Sequence, residues 1–187
     1  MRCGAICAAI LIVLLTGTIT CAQGAGTQDY PRIITPAPTQ GGYADTTVGL
    51  RDLLNDMWAA ARDRDSARLR VLIASTEIPD YADWFEKTFG EVKGPMWAAA
   101  YGKTRARREA ELQNEIMLFA QRPGYFSAKE IVPTDVYDTL QMPLDLFIAN
   151  WSPPDVDGLK RRRTAIGYFF YVNGKFCWSS GEALEGR

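Results

Sequence analysis

Residues 165–179 read AIGYFFYVNGKFCWS, two apolar runs joined by Asn173-Gly174. Asn-Gly is the favoured pair for a two-residue type I′ turn because both positions need a positive φ, so the stretch reads as a β-hairpin. Pairing across that turn sets Tyr171 opposite Phe176 and Phe169 opposite Trp178, which makes one face of the ribbon strongly aromatic. A face of that kind has to be covered, and the residues able to cover it lie upstream.

Two more β-rich runs, Tyr125 to Val132 and Leu144 to Trp151, precede the hairpin, so a four-stranded antiparallel sheet is expected. Before Pro123-Gly124 the apolar period becomes helical. Leu50, Leu53, Leu54, Met57, Trp58 and Ala61 form an i, i+3, i+4, i+7 stripe behind an N-cap at Thr46 or Thr47. Asp65 caps a short second helix through Leu69, Leu72 and Ile73. Pro79 fits the first turn of a third helix with Tyr81, Trp84, Phe85 and Phe89 on its apolar side, and Gly90 fits the left-handed residue that ends it. Gly94-Pro95 then opens a long helix to about Gln121, whose stripe holds Trp97, Tyr101, Leu112, Ile116 and Phe119. Arg105 or Arg108 falls in the gap of that stripe, half buried along its stem. The fold class is therefore α+β, N-terminal helices packed on one face of a C-terminal antiparallel sheet.

Upstream of the helices the chain has a different character. Arg2, the apolar run Ala5 to Leu15 and the small residues after it have the three parts of a secretory signal, and about 11 apolar residues fall short of the roughly 20 that span a bilayer. Thr20-Cys21-Ala22 meets the small-residue rule for cleavage, which places Gln23 at the mature N-terminus. The domain plan is signal peptide 1–22, flexible Pro/Thr/Gly-rich linker 23–45 and one α+β domain 46–187. Export to the periplasm or the medium is the expected location. The alternative is a lipid anchor on Cys21, which follows a loose lipobox, Thr18-Ile19-Thr20, and a membrane becomes a partner only in that case.

Composition closes off several kinds of chemistry. The chain contains no histidine, so Ser-His-Asp and Cys-His sites cannot be built and the commonest zinc ligand is missing; no metal and no cofactor are expected. Cys3, Cys7 and Cys21 belong to or border the signal. Cys177 is thus the single mature cysteine, with no intrachain disulfide available, and its place between Phe176 and Trp178 reads as a packing thiol. Loss of Arg2 leaves a net charge of about −2 on the mature chain, and no nucleic-acid partner is implied. Lys160 to Arg163 and the cluster Lys103, Arg105, Arg107 and Arg108 read as solvated charges, the latter followed by Glu109, Glu111 and Glu115 at helical spacing. Asp155-Val156-Asp157-Gly158 opens like a calcium loop, but the twelfth position of that pattern, a Glu in EF-hands, is Ile166.

The segment Met57 to Leu69, an amphipathic helix ending in the charged turn Arg62-Asp63-Arg64-Asp65 before a short Leu-containing helix, resembles the opening of NTF2-like domains. That resemblance implies a cone-shaped pocket and, for an enzyme of the kind, a catalytic carboxylate. The chain as a whole also looks like small exported bacterial proteins of unknown function, which implies no activity. Three functions follow, in order: a non-catalytic binding or envelope-associated domain, a carrier of a small apolar ligand, and a carboxylate-dependent NTF2-like enzyme. No catalytic residue is assigned. The expected walls of a ligand pocket are Trp84, Phe85, Trp97, Tyr101, Phe169 and Trp178, and the expected partners are a small apolar ligand or an envelope protein.

Overall fold

A computed structural model describes residues 42–133, 140–155 and 162–179. The expected signal peptide, most of the expected linker, and Asp157, Gly158, Lys160 and Arg161 lie outside the described residues. Three helices come first, α1 Thr47–Arg62, α2 Ser66–Ser75 and α3 Tyr81–Ala120, and four strands follow, β1 Tyr125–Ile131, β2 Asp145–Ser152, β3 Thr164–Val172 and β4 Lys175–Ser179. The sheet is antiparallel throughout in the order β1-β2-β3-β4.

Local chemistry sets these boundaries. Thr46 caps α1 by accepting the Gly49 N–H at 3.1 Å, and Asp65 caps α2 by accepting the Arg68 N–H at 2.9 Å. Asn173 and Gly174 take φ of 50° and 81°, and the ribbon registers Tyr171 with Phe176 and Phe169 with Trp178, as the hairpin reading requires. Leu50, Leu53, Leu54 and Met57 of α1 are at most 1% exposed. Burial of that kind stabilises by roughly 1.5–3 kcal/mol per side chain, so this stripe alone outweighs any helix-propensity term.

The long third element contains a sharp reversal. Gly90 has φ 81° and ψ 172°, outside the helical region, and so divides α3 into limbs 81–89 and 91–120. The limbs return on each other: Gly94 abuts the backbone of Glu86 and Phe85, and the Tyr81 ring lies 5.4 Å from that of Tyr101. Residues 81 and 101 meet, as do 86 and 94, so the element is an antiparallel helical hairpin closed by Gly90. The second limb begins before Pro95, which sits inside it.

Helices pack against the sheet, and the cover extends over both of its faces. On the aromatic face, Phe126, Phe147, Trp151, Phe169, Phe176 and Trp178 meet α1, α2 and residues Leu112, Ile116 and Phe119 of α3. On the opposite face, Leu146, Phe170, Val172 and Cys177 meet Phe85, Phe89, Trp97 and Tyr101 of the hairpin. The cause is compositional: β2 to β4 run nearly continuously apolar, the pattern of strands buried on two sides. The second limb of α3 thus serves one face with residues 97–101 and the other with 112–119, passing the β4 edge near Arg108. That edge is further occupied by the α2–α3 connection, where the Trp178 N–H donates to the Thr76 carbonyl at 2.8 Å.

Tyr43, which composition assigns to the linker, is tied into the domain. Its hydroxyl donates to the buried Asp56 carboxylate at 2.6 Å, and its carbonyl accepts the Tyr171 hydroxyl at 3.0 Å. No described helix is long and apolar enough to cross a membrane.

Candidate functional site

The structure divides the six aromatic residues named from sequence. Trp84, Phe85, Trp97 and Tyr101 gather on the hairpin side of the sheet, while Phe169 and Trp178 lie on the α1 side. Within the first group the rings interlock: Phe89 and Trp97 stand 4.3 Å apart edge-on, Phe85 and Tyr101 5.4 Å apart, and Trp84 rests 5.3 Å from Phe170. Rings at these separations fill space by contact with each other. Phe169 is fully buried, and the Trp178 indole N–H donates to the Ile166 carbonyl at 3.2 Å, so each packs as core.

The densest polar grouping sits where α3 passes the β4 edge. Arg105 pairs with Glu77 at 2.5 Å and with Glu109 at 3.6 Å. Burial raises the Glu77 carboxyl above its usual range, the hydrogen-bonded Glu109 adds to that, and Arg105 opposes it. Glu77 Oε1 is buried with no partner among the described residues. Arg108 turns inward at 3% exposure, its guanidinium carbon 3.4 Å from the centre of the Tyr101 ring and Nη1 donating to the Tyr101 carbonyl at 2.6 Å and to Thr104 Oγ1 at 2.7 Å. The Tyr101 hydroxyl in turn accepts the Ile78 N–H at 3.0 Å. Sequence placed an arginine half-buried in this gap; the structure selects Arg108 and buries it fully, because Thr104 and Tyr101 supply acceptors one and two turns back.

A carboxyl pair beside arginines could in principle move protons. Room is what it lacks: the cavity bounded by Thr76, Glu77, Tyr101, Arg108, Glu109, Leu112 and Trp178 measures about 10 Å³, the space of one water at most. Cys177 stands against the same connection, 3.4 Å from the Glu77 carbonyl, and burial pushes its thiol up to about 12. A thiol so held is no nucleophile at neutral pH. Among the described residues no group of three His, Cys, Asp or Glu could hold a metal ion.

The basic cluster on α3 is also accounted for. Arg105 is engaged as above, Arg107 pairs with Glu111 at 3.3 Å, and Arg108 is internal. These ion pairs link separate elements or successive turns and leave Lys103 as the exposed charge that none of them includes.

A roomier concavity lies on the outside of the hairpin. It is an open groove of about 290 Å³ along the seam of the two limbs, lined by Tyr81, Ala82 and Glu86 from the first and Pro95, Ala98 and Ala99 from the second. Beside it Val92 is 89% and Met96 57% exposed. No sequence rule singled out this surface, because periodicity marks the buried stripe of a helix and is silent on a second apolar stripe facing out. Compared with protein-family models, curated proteins and solved structures, the chain matches none.

Proposed function

We propose that the protein is an exported, non-catalytic binding domain that works by presenting the outer face of the α3 hairpin to a protein surface. The observation that carries this reading is the exposed apolar run on the second limb, where residues 92–102 hold one charged residue, Lys93, and Val92 and Met96 project into solvent. Isolated exposed apolar side chains are ordinary, but a contiguous strip beside an open groove marks an interaction surface. The interior supports the same conclusion from the other side: the thiol is inactivated by burial and the carboxyl pair has no room for a substrate.

Co-sedimentation of the mature chain with the envelope of its source cells tests this. Replacing Val92 and Met96 by Asp is expected to abolish association while leaving the melting temperature within about 2 °C, as solvent-facing changes do. Association that survives the double substitution overturns the reading. A second reading, a carrier of a small apolar ligand, draws on the groove itself. Its open 290 Å³ falls at the lower limit of the roughly 300–1,000 Å³ of sites that enclose drug-sized ligands, which ranks it second. Saturable quenching of the adjacent Trp84 and Trp97 by fatty acids or aromatic compounds would reverse that order. The carboxylate-enzyme reading implied by the NTF2-like resemblance would need turnover that Glu77→Gln removes.

A further inference from the structure

We infer that Asn173 is a modification site, a position of non-enzymatic deamidation that the folded β-hairpin holds closed and an opened hairpin releases. The asparagines of the chain are Asn55, Asn114, Asn150 and Asn173, and only the last precedes a glycine. That neighbour matters because the nucleophile is the backbone nitrogen of the following residue. A Cβ on Gly174 would stand in open space, and without one nothing on Gly174 shields its nitrogen from the Asn173 carboxamide. Both residues are exposed to water and lie beyond the strand ladder, whose last pair is Val172 with Lys175.

The step balances with water as the only reagent. The Gly174 N–H gives its proton to a solvent base and the nitrogen attacks Asn173 Cγ, forming an N–C bond. The Cγ–Nδ2 bond breaks, and Nδ2 takes a proton from water and leaves as ammonia. Water then opens the cyclic imide by breaking one of its ring C–N bonds. One cleavage leaves an aspartate at this position; the other leaves an isoaspartate, in which the main chain runs through Cβ and Cγ and is one carbon longer.

Backbone geometry decides when this can happen. Asn173 has φ 50° and Gly174 φ 81°, which is the type I′ turn; in type II′ the first φ is similar and the second is about −80°. The two turns differ in the first ψ, about +30° in type I′ and about −120° in type II′. Cβ stands about 120° from the residue's own nitrogen around the Cα–C bond, so a type II′ turn would eclipse Cβ with the Gly174 nitrogen, whereas type I′ carries that nitrogen about 150° away. Ring closure therefore requires the turn to unwind. Unwinding is opposed by the buried pairs Tyr171 with Phe176 and Phe169 with Trp178, and by the segment before α1, which lies against the turn. A Cβ on Gly42 would fall 2.5 Å from the Gly174 carbonyl oxygen, and the Tyr43 carbonyl accepts the Tyr171 hydroxyl at 3.0 Å.

Opening then has a lasting consequence. A two-residue loop sets strand register by its length. The added carbon of isoaspartate upsets that register, while Phe176 and Trp178 of β4 serve one core and Cys177 the other. Aspartate keeps the length, and Asp-Gly suits the same turn, so that product can refold. The hairpin thus keeps a one-way record of the time the chain has spent open, independently of any docking role of α3.

Incubating the mature chain in one mildly alkaline buffer, with and without an unfolding concentration of guanidinium chloride, tests the inference. Amide loss is followed by mass spectrometry of tryptic peptide 164–175, released by cleavage after Arg163 and Lys175. Deamidation of Asn173 is expected to run at least about a hundredfold slower in the native chain, since it waits on opening of a core element. After return to native buffer, isoaspartate chains are expected to stay unfolded on size exclusion while the asparagine and aspartate forms refold. Asn173→Gly keeps a turn pair that favours type I′ and is expected to refold fully after the same incubation. Equal rates in the two states, an unfolded chain that keeps its Asn173 amide, or isoaspartate chains that refold to the native melting temperature would each overturn the inference. So would a refolding loss in Asn173→Gly equal to that of the natural chain.

Discussion

Glu115 is a half-buried carboxyl on α3 whose titration the fold displaces strongly. Burial, reinforced by the neighbouring Glu111 charge, raises it from its ordinary value of 4.5 to about 7, and its Oε2 has no partner among the described residues. A carboxyl raised on folding favours the folded state most fully below the unfolded value and loses that contribution as pH climbs through the folded one. Stability is thus expected to fall between about pH 4.5 and pH 7. Glu115→Gln should flatten that slope and raise the melting point at pH 8. Because the side chain is only about half buried, solvent screening holds the effect to about 1 kcal/mol, or roughly 2–4 °C for a chain of this size. Thermal unfolding of both proteins from pH 4 to pH 8 checks it, and a parallel pair of curves would show that Glu115 is hydrated. Glu77 shifts in the same direction, so the residual slope in the variant reports on it.

The hairpin of α3 depends on what glycine lacks. A Cβ on Gly94 would overlap the Glu86 Cα and the Phe85 carbonyl oxygen, both backbone atoms that cannot step aside. Alanine gains about 1 kcal/mol in helix propensity over glycine. Forcing the limbs apart costs more, because it loosens the packing of Phe85, Phe89 and Trp97, so Gly94→Ala is expected to lower stability by about 2 kcal/mol in urea denaturation. A neutral or stabilising result would mean that the limbs are not in contact there. Much of this element was legible in advance: Gly90 as a left-handed stop, the apolar side of 81–89 and the four strands with their hairpin register all follow from turn chemistry and periodicity. Two things were not. That the limbs fold back on each other depends on Gly94 and Tyr81 meeting across the bend, a pairing with no period of its own. The split of Phe169 and Trp178 from Trp84 and Trp97 depends on which strand face each helix reaches, and β2 to β4 are apolar on both sides, so sequence offers no alternation to read. Glu77 with Arg105 and Glu109 escaped notice for a similar reason, since 28 positions separate the first from the second in the sequence while the fold brings them into contact.

At the scale of the whole molecule, the ordered domain begins earlier than composition suggests. Tyr43 fastens the chain before α1 to Asp56 on that helix and to Tyr171 on β3, and Asp56 is 5% exposed with Arg68 as its other partner at 3.2 Å. Removing Tyr43 leaves a buried carboxylate short of a donor, a loss worth about 1–3 kcal/mol. A chain starting at Thr46 is accordingly expected to melt several degrees below one starting at Gly42, measured by scanning calorimetry; equal melting points would release Tyr43 from this role. The reach of α3 to both faces of the sheet has a further consequence, for the order of events during synthesis. Neither core is complete without β3 and β4, so a nascent chain that has emerged only as far as α3 holds amphipathic helices with nothing to close on. At roughly 5–20 residues per second, several seconds or more separate the appearance of α1 from that of Trp178. Through that interval both cores lack their β3 and β4 side chains, so the domain is expected to close only once the Asn173-Gly174 turn brings the last two strands together.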